Sequence, residues 1–253
     1  VRRAGLEAEI LGRDRDAFVA EQVGLAIFGD ATVFAQGVAA LPGQSKGEAA
    51  RRVLEDWLRR GKAALREVNG DFVFAIHDEA RGQLVIARDR AGARPLYYAK
   101  AADGWAFASE YKSVLAALGR KPSVVRDVLS ELQARKSVPR GRSLLEGIHA
   151  LPSGTLLTLK QGEEPQLEPF WQPTLDLKDW PYERHCTDLR DTFLRAVDRR
   201  LERGRPTAIS LSGGIDSIAI VAAARHVRPD ASFLTYSAGD SADDPELMWS
   251  ERV

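Results

Sequence analysis

Gly213 and Gly214 separate a short strand-like run from a second run rich in alanine and isoleucine. The first run, residues 207–211, predicts a buried strand, and the second predicts a helix that extends to His226. Residues 232–237 predict another strand after this helix. The order strand, helix, strand predicts an α/β fold with a parallel sheet.

The loop between this strand and helix has the composition of an anion-binding loop. It consists of Ser212, Gly213, Gly214, Ile215, Asp216 and Ser217. Adjacent glycines let the backbone approach a phosphate, the helix start offers free N–H groups, and the serine hydroxyls add donors. Asp216 would repel a phosphate unless a cation lies between them, as Mg²⁺ does when a carboxylate and phosphate oxygens bind it. The loop therefore predicts a site for pyrophosphate together with Mg²⁺.

A purely structural interpretation is also open, in which the glycines make a tight turn and Asp216 caps the helix. We favour nucleotide binding, because six suitable residues stand in a strand, loop and helix context. The loop differs from a P-loop, which ends in Gly-Lys-Ser/Thr.

The region before this segment predicts a different architecture, rich in short strands. Residues 45–60 carry apolar side chains at helical spacing and predict an amphipathic helix. Residues 69–71, Asn-Gly-Asp, predict a turn, after which residues 72–77 and 83–88 predict a β-hairpin. Further short strands are predicted at residues 96–99, 105–109 and 155–159.

The domain boundary is predicted in a proline-rich stretch, residues 161–181. We expect a first domain over residues 1–165, a linker over 166–182 and a second domain over 183–253. The second domain is predicted to open with a helix over residues 186–203.

Composition narrows the class of protein. The 253 residues include 36 basic and 36 acidic side chains, so no excess positive charge points to nucleic-acid binding. The single cysteine, Cys186, excludes an internal disulfide framework and fits a reducing compartment. The sequence has neither an apolar run of roughly 20 residues nor a signal-peptide pattern. We expect a cytoplasmic protein without nucleic-acid or membrane partners.

The loop resembles the SGGxDS signature of the ATP pyrophosphatases, and the upstream sequence resembles the class II glutamine amidotransferase domain. The upstream matches are residues 69–72, 87–98 and 107–112, while residues 147–154 and 170–171 resemble the link to a synthetase domain. Together they follow the order of the asparagine synthetase family. The resemblance implies an α/β/β/α amidotransferase-like sandwich of the N-terminal-nucleophile type, followed by an incomplete Rossmann-like ATP-pyrophosphatase domain.

Members of that family activate a carboxylate with ATP as an acyl-adenylate, release pyrophosphate, and form an amide when an amine displaces AMP. The resemblance implies ATP and Mg²⁺ as cofactors and a small-molecule or peptide carboxylate as substrate. By resemblance, Asp216 binds Mg²⁺, and the pyrophosphate contacts are Ser212, Gly213, Gly214, Asp216 and Ser217. Leu211, Ser237 and Gly239 would flank the adenosine, since ligands of open α/β sheets lie at strand C-termini.

The amidotransferase half departs from the family pattern. Active class II domains use an N-terminal cysteine, whereas this chain starts at Val1 and its only thiol is Cys186. Too few residues precede Phe28 for a complete family N-terminus, so a leading segment that carries the nucleophile stays an open alternative. Residues 28–34 stand where the family has an Asn-Gly-Glu segment, so a glutamine-binding amide is lost. A degenerate glutaminase resembles β-lactam synthetases and lasso-peptide cyclases, which take the amine from the substrate itself. Residues 240–246 also resemble an acidic stretch of lasso cyclases, although a helix start with Asp244 as N-cap and Pro245 as first residue is an equal interpretation.

The second domain stops at Val253, so the family's second Mg²⁺-binding carboxylate and catalytic lysine have no counterpart in the sequence. A sheet of two parallel strands cannot have both faces buried by this short region, so we expect further residues, a partner chain or an unusual docking on the first domain to complete it. The leading hypothesis from the resemblance is an ATP-dependent amide synthetase in which the amine attacks within the substrate, closing a lasso-peptide macrolactam or a β-lactam. Three alternatives stay open: glutamine-dependent asparagine synthesis, a tRNA-modifying ATP pyrophosphatase and a non-catalytic fragment.

Two other sets of polar residues are interpreted as structural. Arg88, Asp89, Arg90 and Arg94 are expected to fix a corner between strands rather than to act in catalysis. The four histidines are scattered without metal-ligand spacing, and we assign none of them as a ligand.

Overall fold

The computed structural model describes two compact units, Val1–Thr174 and Leu175–Val253. It describes residues 53, 55–78, 81–102, 104–201, 207–241 and 244–253, with backbone only at residues 69 and 77, together with the backbone of four N-terminal strands. Within this part of the chain, every helix is too short or too polar to span a bilayer.

Among the residues that the structure describes, eleven strands belong to the first unit. They are β1 (Arg2–Arg3), β2 (Leu6–Glu7), β3 (Asp16–Ala20), β4 (Val23–Val33), β5 (Val68–Asp78), β6 (Gln83–Arg88), β7 (Tyr97–Ala101), β8 (Gly104–Ala108), β9 (Ile148–Ala150), β10 (Thr155–Lys160) and β11 (Gln166–Pro169). A six-stranded sheet has the order β11-β10-β6-β5-β4-β3, and a three-stranded sheet has the order β8-β7-β9. The predicted hairpin is confirmed, because β5 and β6 pair antiparallel with Phe74 opposite Ala87.

Alternation along β5 divides the apolar side chains between the two faces of the large sheet. Phe72, Phe74 and Ile76 pack on one face with Leu65 and the helical residues around Trp57. Val73 and Ala75 point to the other face, where side chains of β6 and β10 meet those of the small sheet. The described part of the large sheet, formed by β5, β6 and β10, is therefore covered on both faces.

The small sheet is covered in turn by a helix. The helices of this unit are α1 (Tyr111–Leu118), α2 (Arg126–Arg135) and a 3₁₀ helix (Gly61–Arg66), and residues 55–60 are also helical. Val114 of α1 is buried against Ala99, Ala106 and Ile148 of the small sheet. The sequence of layers is helix, sheet, sheet, helix, which confirms the predicted α/β/β/α sandwich.

Two local predictions differ from the structure, and a third lies partly outside the described residues. The turn predicted at residues 69–71 is wrong, because Gly70 and Asp71 lie inside β5 opposite Ala31 and Asp30 of β4. The linker predicted over residues 166–182 begins with a strand, since β11 pairs with β10. The helix predicted over residues 45–60 is described only at residue 53 and residues 55–60, where it is helical.

The corner after β6 is built on a buried carboxylate. Asp89 is fully buried, and its carboxylate accepts hydrogen bonds from the N–H of Ala93 at 3.0 Å and the N–H of Arg94 at 3.1 Å. The Arg88 guanidinium donates to the carbonyls of Gly92, Arg94 and Leu151, each at 2.6 Å. Both side chains bond to backbone groups of residues 92–94, and Arg88 also bonds to Leu151, which confirms the predicted structural role for Arg88 and Asp89.

The second unit alternates helices with two strands. Its elements are α3 (Tyr182–Arg200), β12 (Ala208–Ser210), α4 (Ile215–Val227), β13 (Leu234–Tyr236) and α5 (Pro245–Ser250). β12 and β13 pair in parallel with Ile209 opposite Thr235, which confirms the predicted order and direction. A small core of Val197, Ile209, Ala223 and Ala224 joins α3, β12 and α4.

Candidate nucleotide-binding site

The predicted loop leaves the C-terminal end of β12 and enters α4 within four residues. Leu211 is buried, and its N–H donates to the carbonyl of Tyr236 at 2.9 Å, which extends the parallel pair by one hydrogen bond. Gly213 then takes a left-handed conformation with φ of 74°, a region that favours glycine. The loop therefore projects from the carboxyl edge of the sheet, where ligands of open α/β sheets bind.

The two serines of the loop bond to each other and to its backbone. The Ser212 and Ser217 hydroxyls lie 3.2 Å apart, and Ser217 Oγ donates to the carbonyl of Gly214 at 2.9 Å. Ser217 Oγ also accepts from the N–H of Ser212 at 3.2 Å, while Ser212 Oγ accepts from the N–H of Gly214 at 3.4 Å. The hydroxyls thus brace the loop from within.

The start of α4 has no side-chain cap. Gly214 is the N-cap residue, and it has no side chain that could accept a hydrogen bond from the first turn of the helix. The interpretation of Asp216 as a cap is therefore wrong; its exposed side chain lies in the first turn instead. The first N–H groups of a helix have no partner inside it, so this exposed helix start can bind an anion.

The two glycines of the loop have different surroundings. A Cβ atom on Gly213 would lie 2.6 Å from Trp249 Cβ and 2.9 Å from the carbonyl oxygen of Glu246, both in α5. A Cβ on Gly214 would meet only Ser212 Oγ within 4 Å, at 3.4 Å. Among the residues described, α5 therefore occupies the Cβ side of Gly213, whereas the Cβ side of Gly214 is open.

The segment after β13 joins the same edge of the sheet. Ser237 Oγ donates to the carbonyl of Leu211 at 2.6 Å, so the two strand ends predicted to flank adenosine are in direct contact. A Cβ on Gly239 would lie 2.8 Å from Asp244 Cβ and 2.9 Å from Leu247 Cδ1. The Cα of Gly239 therefore packs on α5, which leaves Leu211 and Ser237 at the strand ends.

The contribution of α5 to the site was not predicted from the sequence. Asp244 is the N-cap of this helix, accepting from the N–H of Glu246 at 2.9 Å, and Pro245 follows in the first turn. This confirms the helix start predicted for residues 244 and 245. The sequence signal for the packing of α5 on the loop was the presence of Gly213 and Gly239, one after each parallel strand, because glycines commonly allow close packing of a neighbouring element.

Known protein families match both halves of the sequence. Residues 40–171 match the family described as a glutamine amidotransferase domain, and residues 188–253 match the family described as asparagine synthase. The chain belongs to the asparagine synthetase family. The candidate loop of this family member lies inside the asparagine synthase match, and its α/β/β/α sandwich lies largely inside the amidotransferase match.

Curated relatives of this asparagine synthetase family member are considerably longer. The glutamine-hydrolysing asparagine synthetase 3 of Bacillus subtilis is 32% identical over 197 residues, which cover 76% of this chain and 32% of the relative. Amidase chry2 of Gibberella zeae is 33% identical over 172 residues, covering 66% of this chain and 25% of the relative. Among solved structures, the glutamine phosphoribosylpyrophosphate amidotransferase of B. subtilis aligns with a TM-score of 0.39 and 13% identity, over 87% of this chain and 47% of the other. The chain thus spans a third or less of the length of the two curated relatives.

Proposed function

We propose that this protein is an ATP-dependent, amide-forming synthetase that activates a carboxylate as an acyl-adenylate. A carboxylate oxygen attacks the α-phosphorus of ATP, the bond to the β-phosphate oxygen breaks, and pyrophosphate leaves. An amine then attacks the acyl carbon, AMP leaves with the bonding electron pair, and the amine gives up a proton. The observation that carries the proposal is the open side of the loop, where exposed Asp216 lies beside the uncapped start of α4.

The loop residues suit a departing pyrophosphate. The N–H groups of Ile215, Asp216 and Ser217 open the helix, and fixed donors of this kind stabilise negative charge as it develops. The Ser212 hydroxyl is exposed and held only by neighbours in the loop, so rotation about χ1 would turn it toward a phosphate oxygen. Leu211 and Ser237 would border the adenosine at the strand ends.

Asp216 fits the chemistry of Mg²⁺, which prefers carboxylate oxygens and retains several waters. Among the residues that the structure describes, no group of three or more His, Cys, Asp or Glu side chains could hold a metal ion. Asp216 would therefore share the ion with phosphate oxygens and water. When bound, Mg²⁺ would neutralise charge on the pyrophosphate.

The sequence of the amidotransferase half favours an amine supplied by the substrate itself. Residues 28–33 lie in β4 and read Phe-Gly-Asp-Ala-Thr-Val, where the family pattern has an asparagine for glutamine binding. Attack by an amine of the same substrate would close a lactam, as in a β-lactam or a lasso-peptide macrolactam.

A second candidate is glutamine-dependent synthesis of asparagine from aspartate. It is favoured by the relative from B. subtilis, a glutamine-hydrolysing asparagine synthetase. The two candidates share the adenylation step and differ in the acid that is activated and in the source of nitrogen.

Pyrophosphate exchange into ATP tests the adenylation step on the intact protein. We expect exchange that depends on a carboxylate and falls about 100-fold in Asp216→Asn, because the variant loses the Mg²⁺ ligand. Asp230→Asn is the matched control, since Asp230 is an exposed carboxylate in the turn after α4. Undiminished exchange in Asp216→Asn contradicts the proposal. So does a lack of exchange with every acid tested.

Measuring the exchange with different acids separates the two candidates. Exchange with a precursor peptide or a carboxylated amino acid, without glutamine hydrolysis, supports intramolecular closure. Exchange with aspartate accompanied by release of glutamate from glutamine supports asparagine synthesis.

A further inference from the structure

We infer that Asp244 is a positioning residue for the nucleotide loop, acting through α5 rather than by touching the nucleotide. The inference rests on the proposed function of the loop and assigns a role to a carboxylate outside it. It follows from two contacts: α5 packs on Gly213, and Asp244, for which Gly239 leaves room, joins α5 to the segment after β13.

The first contact is between the backbone of α5 and the loop. A Cβ on Gly213 would lie 2.9 Å from the carbonyl oxygen of Glu246 and 3.1 Å from the amide nitrogen of Ser250. These atoms belong to the helix backbone and cannot rotate away as a flexible side chain can. The loop therefore keeps its conformation only while α5 stays in place behind it.

The second contact ties α5 to the end of β13. Asp244 Oδ2 accepts from the N–H of Asp240 at 3.1 Å, and Asp244 Oδ1 accepts from the N–H of Glu246 at 2.9 Å. One carboxylate thus uses separate oxygens to hold the segment after β13 and the first turn of α5. Gly239 allows this arrangement, because a Cβ there would lie 2.9 Å from Asp244 Cγ.

Among the residues described, few other contacts hold α5 in place. It is six residues long, and isolated helices of that length are unstable in water. Met248 is 50% exposed and Trp249 is 56% exposed, so the two largest side chains of α5 are only half covered by the residues described. Loss of the Asp244 hydrogen bonds should therefore shift α5 toward undocked states and, with it, loosen the loop.

Substitution of Asp244 tests the inference through two measurements. The apparent dissociation constant for Mg-ATP and the KM for ATP in pyrophosphate exchange should both rise about fivefold in Asp244→Ala, the effect of a lost helix cap. Amide hydrogen exchange of residues 211–218, measured without nucleotide, should become faster in the same variant. The second measurement needs no enzymatic activity, so it stays informative if the proposed function fails.

Two further variants make the result specific. Asp244→Asn keeps one acceptor oxygen and should give an intermediate effect, whereas Asp230→Ala removes an exposed carboxylate and should leave both measurements unchanged. Faster exchange confined to residues 244–253, with residues 211–218 and ATP affinity as in the wild type, would overturn the inference. Asp244→Asn also keeps the test valid if Asp244→Ala does not fold.

Discussion

At the scale of single residues, the adjacent glycines Gly213 and Gly214 have different structural roles. Gly213 needs its missing side chain because α5 lies against it and because its φ is positive. Gly214 has an ordinary φ of −76° and faces open space apart from Ser212 Oγ. A signature written as two equal glycines therefore combines a packing position with a position open to ligand.

Alanine substitutions should separate these roles. Gly213→Ala should lower the free energy of unfolding of the second unit by about 2–3 kcal/mol, because a left-handed residue with a Cβ adds strain to a backbone clash. Gly214→Ala should change it by under about 1 kcal/mol, yet weaken Mg-ATP binding by narrowing the open side. Chemical denaturation and calorimetric ATP titration would measure both, and equal destabilisation by the two variants would contradict this division.

At the scale of elements, the corner after β6 is held by hydrogen bonds of a buried carboxylate. The Asp89 side chain binds two N–H groups ahead of it, and its own carbonyl accepts from the N–H of Gly154 at 2.9 Å. This carbonyl joins the corner after β6 to the turn that leads into β10. The corner therefore links two neighbouring strands of the large sheet.

Asp89→Ala should destabilise the first unit by about 2–3 kcal/mol, since it leaves two N–H groups without their charged acceptor. Asp127→Ala is the matched control: its carboxylate is 63% exposed and pairs with Arg142 at 2.7 Å on the surface. Surface pairs contribute little, so the control should shift the unfolding midpoint far less. Similar shifts of the urea unfolding midpoint in the two variants would contradict the stabilising role of Asp89.

The local sequence pattern predicted the elements that pair with a partner nearby in the sequence. Alternating apolar residues in β5 and β6 predicted the hairpin, and the order of β12, α4 and β13 predicted the parallel pair. The pattern failed at residues 69–71, where turn-forming residues are held extended by pairing with β4, about 40 residues earlier. It predicted the start of α5 but not its contact with Gly213, because docking of a short helix depends on tertiary packing.

At the scale of the whole molecule, the chain divides into two compact units joined by a segment without regular secondary structure. The division falls between Thr174 and Leu175, inside the linker predicted over residues 166–182. Residues 171–181 have no regular secondary structure, and Leu175 and Leu177 are 93% and 90% exposed. An exposed backbone without regular hydrogen bonding is the preferred substrate of a protease.

Limited proteolysis with an enzyme that cleaves after leucine should therefore cut first at Leu175 or Leu177. Each of these cuts separates the sandwich from the unit that holds the nucleotide loop, and mass spectrometry of the first fragments would locate it. The double variant Leu175→Asp, Leu177→Asp removes both sites at fully exposed positions, so it should slow this cleavage without changing the unfolding midpoint. First cuts inside the paired strands β5, β6 or β10 would show instead that the large sheet opens more readily than the connecting segment.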